Sequence, residues 1–112
     1  MVKLHQKSAE EKSMDRKFEL YLGLNDKETK RQEINTLDAY KVAANVCKDC
    51  SISELTGYYT HGNGQVVIEK SLKIELFGKE KTEVQAIAEQ LKLIFNQESV
   101  IINEILVNSQ FI

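Results

Sequence analysis

The stretch from Ile52 to Phe77 constrains the fold more than any other, because it writes two alternating runs, "ISELTGYY" and "VVIEKSLKIELF", around the segment "THGNGQ". An Asn-Gly dipeptide between alternating runs is a strong hairpin signal, since both residues tolerate the positive φ that a tight antiparallel turn demands. With Asn63-Gly64 as a two-residue turn, His61 faces Val66, Tyr59 faces Ile68, Gly57 faces Lys70 and Leu55 faces Leu72. Directly opposed residues share a face, so these pairs lie on one side, which continues through Ile74 and Leu76. Tyr58, Val67, Glu69, Ser71, Lys73 and Glu75 occupy the other, mostly polar side. A four-residue loop over Gly62 to Gln65 keeps the same register.

The other elements follow from similar periodicities. Residues 1 to 16 carry only scattered apolar groups and read as a flexible or weakly helical arm, ahead of a single domain over 17 to 112. In "KFELYLGLN" Phe18, Leu20, Leu22 and Leu24 take one face, a half-buried first strand. "DKETKRQEIN" is too hydrophilic to pack and reads as a long solvated loop. Asn35 or Thr36 caps a helix in which Leu37, Tyr40, Ala44 and Cys47 recur at helical spacing. Val84, Ile87, Ala88, Leu91, Ile94 and Phe95 mark a second amphipathic helix, with Thr82 and Gln85 as a capping box. "SVIINEILV" closes the order as a last strand.

The order β-α-β-β-α-β predicts an α+β, ferredoxin-like fold: two helices packed on one face of a four-stranded antiparallel sheet. Right-handed crossovers place the first and third strands in the middle. At about 3.3 Å per residue the strand from Gln65 to Leu76 is roughly 40 Å long, about twice the second helix, so it is either broken near Glu69 to Ser71 or projects as an arm.

The chain has 112 residues, of which 42% are apolar and 29% charged. That is room for one two-layer core. A net charge of −2 makes nucleic acid a poor partner. Apolar runs as short as Val100-Ile101-Ile102 exclude membrane insertion, and a start without an apolar h-region points to the cytoplasm. Neither Gly62-Asn63-Gly64 nor "GLND" at 23 to 26 is a phosphate-binding loop, and no cofactor motif is present.

Two constellations carry chemistry. Cys47-x-x-Cys50 has the spacing of a metal-binding or redox pair, but it ends its helix rather than opening it, and only His5 and His61 are at hand as further Cys or His ligands. Packing of Cys47 beside a solvated Cys50 is the simpler reading, and no metal site is assigned. His61 with Tyr58 and Tyr59 offers an acid/base cluster, yet the hairpin register brings it no Ser, Cys or acidic partner, so no catalytic residue is assigned. Tyr58, Tyr59, His61, Val67 and Glu69 remain as candidate ligand or interface residues, because a projecting tip that exposes apolar groups calls for a partner, most simply another copy of the chain.

"FELYLGL" at 18 to 24, "GNGQVVIEKSLKIEL" at 62 to 76 and "IFNQESVI" at 94 to 101 resemble an uncharacterised family of short bacterial proteins, a domain of unknown function. That resemblance implies no catalytic residue. A looser likeness in shape is to nitrogen-regulatory PII-type proteins, whose ferredoxin-like subunits project a loop from the hairpin of strands two and three, with nucleotide between the subunits of a trimer. The tip here lacks a basic phosphate cradle. The resulting expectation is a non-enzymatic homo-oligomeric binding or regulatory module, a dimer or trimer. The alternatives are a small dimeric enzyme with a His61/tyrosine pocket between helices and sheet, and an interaction protein of a mobile element that binds through its N-terminal arm.

Overall fold

The computed structural model describes residues 16–60 and 62–112. The N-terminal arm expected before the domain lies outside the described residues, apart from Arg16, and so does His61. The elements are β1 (Arg16–Gly23), α1 (Thr36–Cys47), β2 (Ser51–Thr60), β3 (Val66–Phe77), α2 (Lys81–Ile94) and β4 (Ile101–Leu106). They form one antiparallel sheet in the order β2-β3-β1-β4, with β3 and β1 central. This is the expected α+β ferredoxin-like arrangement.

Alternation decides which face is covered. Phe18, Leu20 and Leu22 of β1 oppose Leu76, Ile74 and Leu72 of β3, and all six are fully buried. Ala39, Ala43 and Cys47 of α1 and Val84, Ile87, Ala88 and Leu91 of α2 close the core over them. Asn35 caps α1 by accepting from the Asp38 N–H at 2.9 Å. The bond satisfies a backbone donor that the first turn leaves free. The capping box expected at Thr82 is absent: α2 begins at Lys81 with Glu80 at its cap position and no side-chain cap bond, which puts Thr82 inside the first turn.

The hairpin is present but its register differs by one from the expected pairing. Thr60 opposes Val66, Tyr59 opposes Val67 and Tyr58 opposes Ile68. Residues 61–65 form a five-residue connection in which Asn63 Oδ1 accepts from the Gln65 N–H at 2.9 Å and Gly64 takes φ +83°. An odd loop moves every β2 side chain to the opposite face. Ile52, Glu54, Thr56 and Tyr58 therefore share the helix side with Ile74, Leu72, Lys70 and Ile68, while Leu55, Gly57 and Tyr59 share the helix-free side with Ser71, Glu69 and Val67.

β3 is unbroken. It pairs with β1 only from Phe77 to Ser71, but with β2 from Glu75 to Val66. Beyond Ser71 the two strands continue as a ribbon that the helices do not reach. Tyr58, Val66 and Ile68 on its helix side are 69%, 56% and 59% exposed. The radius of gyration is 16.6 Å, and the molecule measures 58 × 27 × 24 Å. A compact domain of this length would give about 13 Å, and the ribbon accounts for the excess. No helix among the described residues is long and apolar enough to cross a membrane.

Leu72 and Ile68 thus lie on the same strand face on either side of the core boundary. Leu72→Ala is expected to cost about 3 kcal/mol, within the range for a buried leucine, and Ile68→Ala no more than about 0.5 kcal/mol. Denaturant unfolding of the two variants checks the difference.

Candidate functional site

Where the ribbon leaves the sheet it makes an inner corner on the helix-free face, and this corner is a groove of about 1020 Å³. The ribbon supplies Leu55, Gly57, Tyr59, Val67 and Glu69 as one wall, and Tyr21, Gly23 and Ser71 form the floor. The far wall is the segment after β1, with Asp26, Lys27 and Lys30, together with Gln97 to Ser99 after α2.

That segment is the solvated loop its hydrophilicity predicts, and it is ordered by its own hydrogen bonds. Asp26 Oδ1 accepts from the backbone N–H groups of Glu28 and Thr29 at 2.8 and 3.0 Å, the Asp26 N–H donates to Arg31 O at 2.8 Å, and Asn25 bridges to Gln32. Asn96 Nδ2 donates to Asp26 Oδ2 at 3.0 Å and also to Glu28, while the Lys27 N–H donates to Asn96 O at 3.0 Å. The hydrogen bonds from Thr29, Asn96 and Glu28 hold the Asp26 carboxyl below its ordinary range. A short polar turn of this kind is ordered by its own hydrogen bonds and needs no apolar anchor.

Beside Gly23, Glu69 Oε2 accepts from the Asn25 N–H at 3.0 Å. Gln97, only 8% exposed, donates through Nε2 to Asn25 O at 2.7 Å and to Phe95 O at 3.2 Å. Both side chains lie over Gly23: an ideal Cβ there would stand 2.6 Å from Glu69 Oε2 and 2.9 Å from Gln97 Oε1. A glycine at this position leaves the space that the two polar groups fill. Higher up, the Tyr59 ring lies across Gly57, whose ideal Cβ would stand 2.5 Å from the phenol oxygen.

Along the floor, Tyr21 Oη donates to Glu19 Oε1 at 3.0 Å, Lys17 Nζ lies 3.1 Å from Glu19 and 2.7 Å from Glu75, and Lys73 Nζ lies 3.5 Å from Glu19. Burial pushes the Glu19 carboxyl up, but the hydrogen bonds from Lys17 and Tyr21 and the charge of Lys73 outweigh it, and the group sits below its ordinary range. The bond to Glu19 raises Tyr21, which is held as a protonated donor rather than a base.

Three of the residues singled out in the sequence, Tyr59, Val67 and Glu69, meet in this groove. Tyr58 is on the opposite face of the ribbon. Tyr59, placed on the packed face by the expected register, reaches the groove because the five-residue loop reverses β2. The pocket expected between helices and sheet is not where the groove is: the concavity is on the face the helices leave open. Cys47 is buried in the core and its thiol is pushed up to about 12 by burial, while burial also raises the half-buried Cys50; neither lines the groove. No cluster of three metal-ligating side chains occurs among the described residues. Gly23, Asn25, Asp26 and Gln97 belong to the site although no motif in the sequence marks them. The Asn-Asp pair after β1 and the Asn-Gln pair after α2 are the signals the sequence does carry, since side-chain amides and carboxylates at element ends are the usual partners of free backbone groups.

Among solved structures, the chain is similar to a phage SAM lyase in complex with S-methyl-5'-thioadenosine, with 25% identity, a TM-score of 0.65 and coverage of 93% of this chain and 88% of that one. The same comparison holds for a phage SAM lyase in the apo state, with 26% identity, a TM-score of 0.65 and coverage of 94% and 87%. It is similar in fold alone to the divalent ion tolerance protein CutA1 from Ehrlichia chaffeensis, with 17% identity, a TM-score of 0.50 and 88% coverage of both chains. No family model matches the chain, so the likeness to a domain of unknown function finds no support, and no curated protein matches it. The ferredoxin-like fold on which the likeness in shape to PII-type proteins rests is present. The expectation of a non-enzymatic module is overturned by the similarity to a lyase over nearly the whole of both chains. An acid/base or nucleophilic set is the usual sign of an enzyme in a sequence, and among the described residues the groove lining holds no histidine or cysteine.

The stability contributed by Glu19 has a definite pH sense. A carboxyl lowered in the folded state adds stability that is fully present above its unfolded value near 4.5 and is lost as pH falls through the folded one. Unfolding free energies measured across the acid range should show a shallower acid limb in Glu19→Gln than in the unaltered chain.

Proposed function

We propose that this protein is a lyase acting on S-adenosylmethionine, and that the groove on the helix-free face is where it releases S-methyl-5'-thioadenosine. The observation that carries the reading is the similarity, at a quarter of all positions and across nearly the full length, to a phage SAM lyase with that thioether bound. In such a cleavage the bond between the sulfonium sulfur and the aminocarboxypropyl carbon breaks, the bonding pair passes to sulfur, and the carbon is satisfied from within the substrate rather than by water. A leaving group that departs as a neutral thioether needs no protonation, so the work of the site is to orient the substrate and keep water out.

The groove suits that work. Its size is that of a small-molecule site, at the upper end of the usual range of roughly 300–1,000 Å³. Tyr59 and Tyr21 present aromatic surface for a purine, Glu69 presents negative charge toward a cationic substrate, and Lys27 and Lys30 present positive charge toward a carboxylate. The same reading makes the protein a homo-oligomer. The groove is open along the ribbon, whose two faces both expose apolar groups, Leu55 and Tyr59 on the groove side and Tyr58, Val66 and Ile68 on the other, surface that a second copy covers.

Incubation of the full chain with S-adenosylmethionine, followed by chromatography and mass spectrometry, should show S-methyl-5'-thioadenosine formed in proportion to protein. Glu69→Gln should lower the rate at least about tenfold, as expected for loss of a charged hydrogen-bonding group worth about 1.5–3 kcal/mol. Absence of the thioether at high protein concentration would overturn the reading. Sedimentation should give a mass of two or three chains, and a monomer at high concentration would remove the oligomeric part.

A further inference from the structure

We propose that Glu69 and Gln97 over Gly23 form a subsite for a primary ammonium group, and that in the reaction above it holds the α-ammonium of S-adenosylmethionine. The assignment to that substrate rests on the lyase reading; the preference for an ammonium rests on the corner itself. Gln97 is more than nine-tenths buried, and its Nε2 is bonded twice, to Asn25 O and to Phe95 O. Two carbonyl partners fix which end of the amide is nitrogen, so Oε1 is the end that faces the groove. Among the described residues no donor is bonded to it. No fully buried side-chain oxygen or nitrogen among the described residues lacks a partner, so Oε1 is open to the groove, where a donor on a ligand can reach it.

Glu69, half-buried beside it, also lines the groove. Its Oε2 accepts from the Asn25 N–H, and among the described residues no lysine or arginine pairs with its charge. Glu19, Glu54, Glu75 and Glu104, by contrast, each have a cationic partner within 3.5 Å. The Glu69 and Gln97 oxygens lie 2.6 and 2.9 Å from the position a Gly23 Cβ would take, so they are no more than about 5.5 Å apart, and a single ligand nitrogen on the groove side can bridge them. The corner is therefore two acceptors, one of them anionic, around donors that are already spent.

Each group of the substrate can be tried against that chemistry. A carboxylate brings no hydrogen and is repelled. A sulfonium is cationic but has no N–H to give. The purine amine and the ribose hydroxyls give hydrogens but leave the Glu69 charge without compensation in a half-buried place. Only the α-ammonium brings both positive charge and several N–H donors, and charge-assisted hydrogen bonds of this kind are about twice as strong as neutral ones. Gln97 is thus a specificity-determining residue whose backbone bonds hold its oxygen in place before the substrate arrives.

The test compares S-adenosylmethionine with two analogues on the full chain: one lacking the α-amino group, and one lacking the purine amine. KM for thioether release and the dissociation constant from calorimetry are measured for each. Loss of the α-amino group should raise both constants about tenfold or more, and loss of the purine amine should leave them nearly unchanged. Gln97→Met should raise the constants for S-adenosylmethionine and leave those for the deamino analogue as they are, a pattern that general loss of stability would not give. Equal constants for the substrate and its deamino analogue, or weakening confined to the purine analogue, would overturn the assignment. If S-adenosylmethionine binds with the stated preference and is not cleaved, the lyase reading fails and the subsite stands; if it does not bind, the subsite falls as well.

Discussion

The structure depends on one inequality of length. β3 runs twelve residues, from Val66 to Phe77, but β1 accompanies it only to Ser71. Leu72, Ile74 and Leu76 are consequently sealed under the helices, while the same strand face at Ile68 and Val66 stands in the open. A strand that outruns its sheet must either bend, break or leave with its hairpin partner, because its backbone groups still need pairing. Here it leaves with β2, whose pairing to β3 holds from Ser51 to Thr60. The angle between the departing ribbon and the sheet it leaves is the groove, so the site follows from the termination of β1 and not from any motif.

Most of the architecture is legible in the sequence because it rests on period-two and period-3.6 patterns that need no tertiary information. Phe18, Leu20 and Leu22 announce the core face of β1, and Val84, Ala88 and Leu91 announce that of α2. The register of the hairpin is not legible. Asn63-Gly64 is compatible with loops of two, four or five residues. The five-residue loop that forms carries a bond from the Gln65 N–H to the Asn63 side chain, a contact with no periodicity. A single residue of loop then exchanges the faces of Tyr58 and Tyr59. The segment from Asp26 to Gln32 is legible as a solvated loop but its order is not: hydropathy reports whether a segment is buried, and this one is ordered by Asp26 and Asn96 while staying at the surface.

The groove itself is half legible. Tyr59, Val67 and Glu69 belong to the hairpin and are found with it, whereas Asn25 and Gln97 are 72 residues apart and meet only because β1 and α2 end at the same corner. Residues brought together by the ends of two elements leave no local spacing in the sequence. The helix C-terminus does leave a trace, since Asn96 adopts φ 49° there. Asn is among the few non-glycine residues that accept such a conformation readily. The residue after such a stop is turned back toward the sheet, which is where Gln97 is found.

The two walls of the groove differ in kind, and the difference divides their labour. The Gln97 corner is tied to the backbone after β1 and at the α2 terminus through Asn25 O and Phe95 O, so its oxygen cannot turn without breaking two hydrogen bonds. The ribbon wall is held by strand pairing alone, with Tyr59 53% exposed and its ring resting on Gly57. A two-stranded ribbon without a covering layer is marginally stable by itself and adapts to what it meets. Polar discrimination requires acceptors whose positions are set before binding, because an acceptor that swings away loses nothing when the wrong group arrives. Apolar contact has no such requirement, since burial is non-directional and tolerates adjustment. Selectivity therefore belongs to the rigid corner beneath Gly23's missing side chain, and contact area, whether with a purine or with a second copy of the chain, belongs to the ribbon.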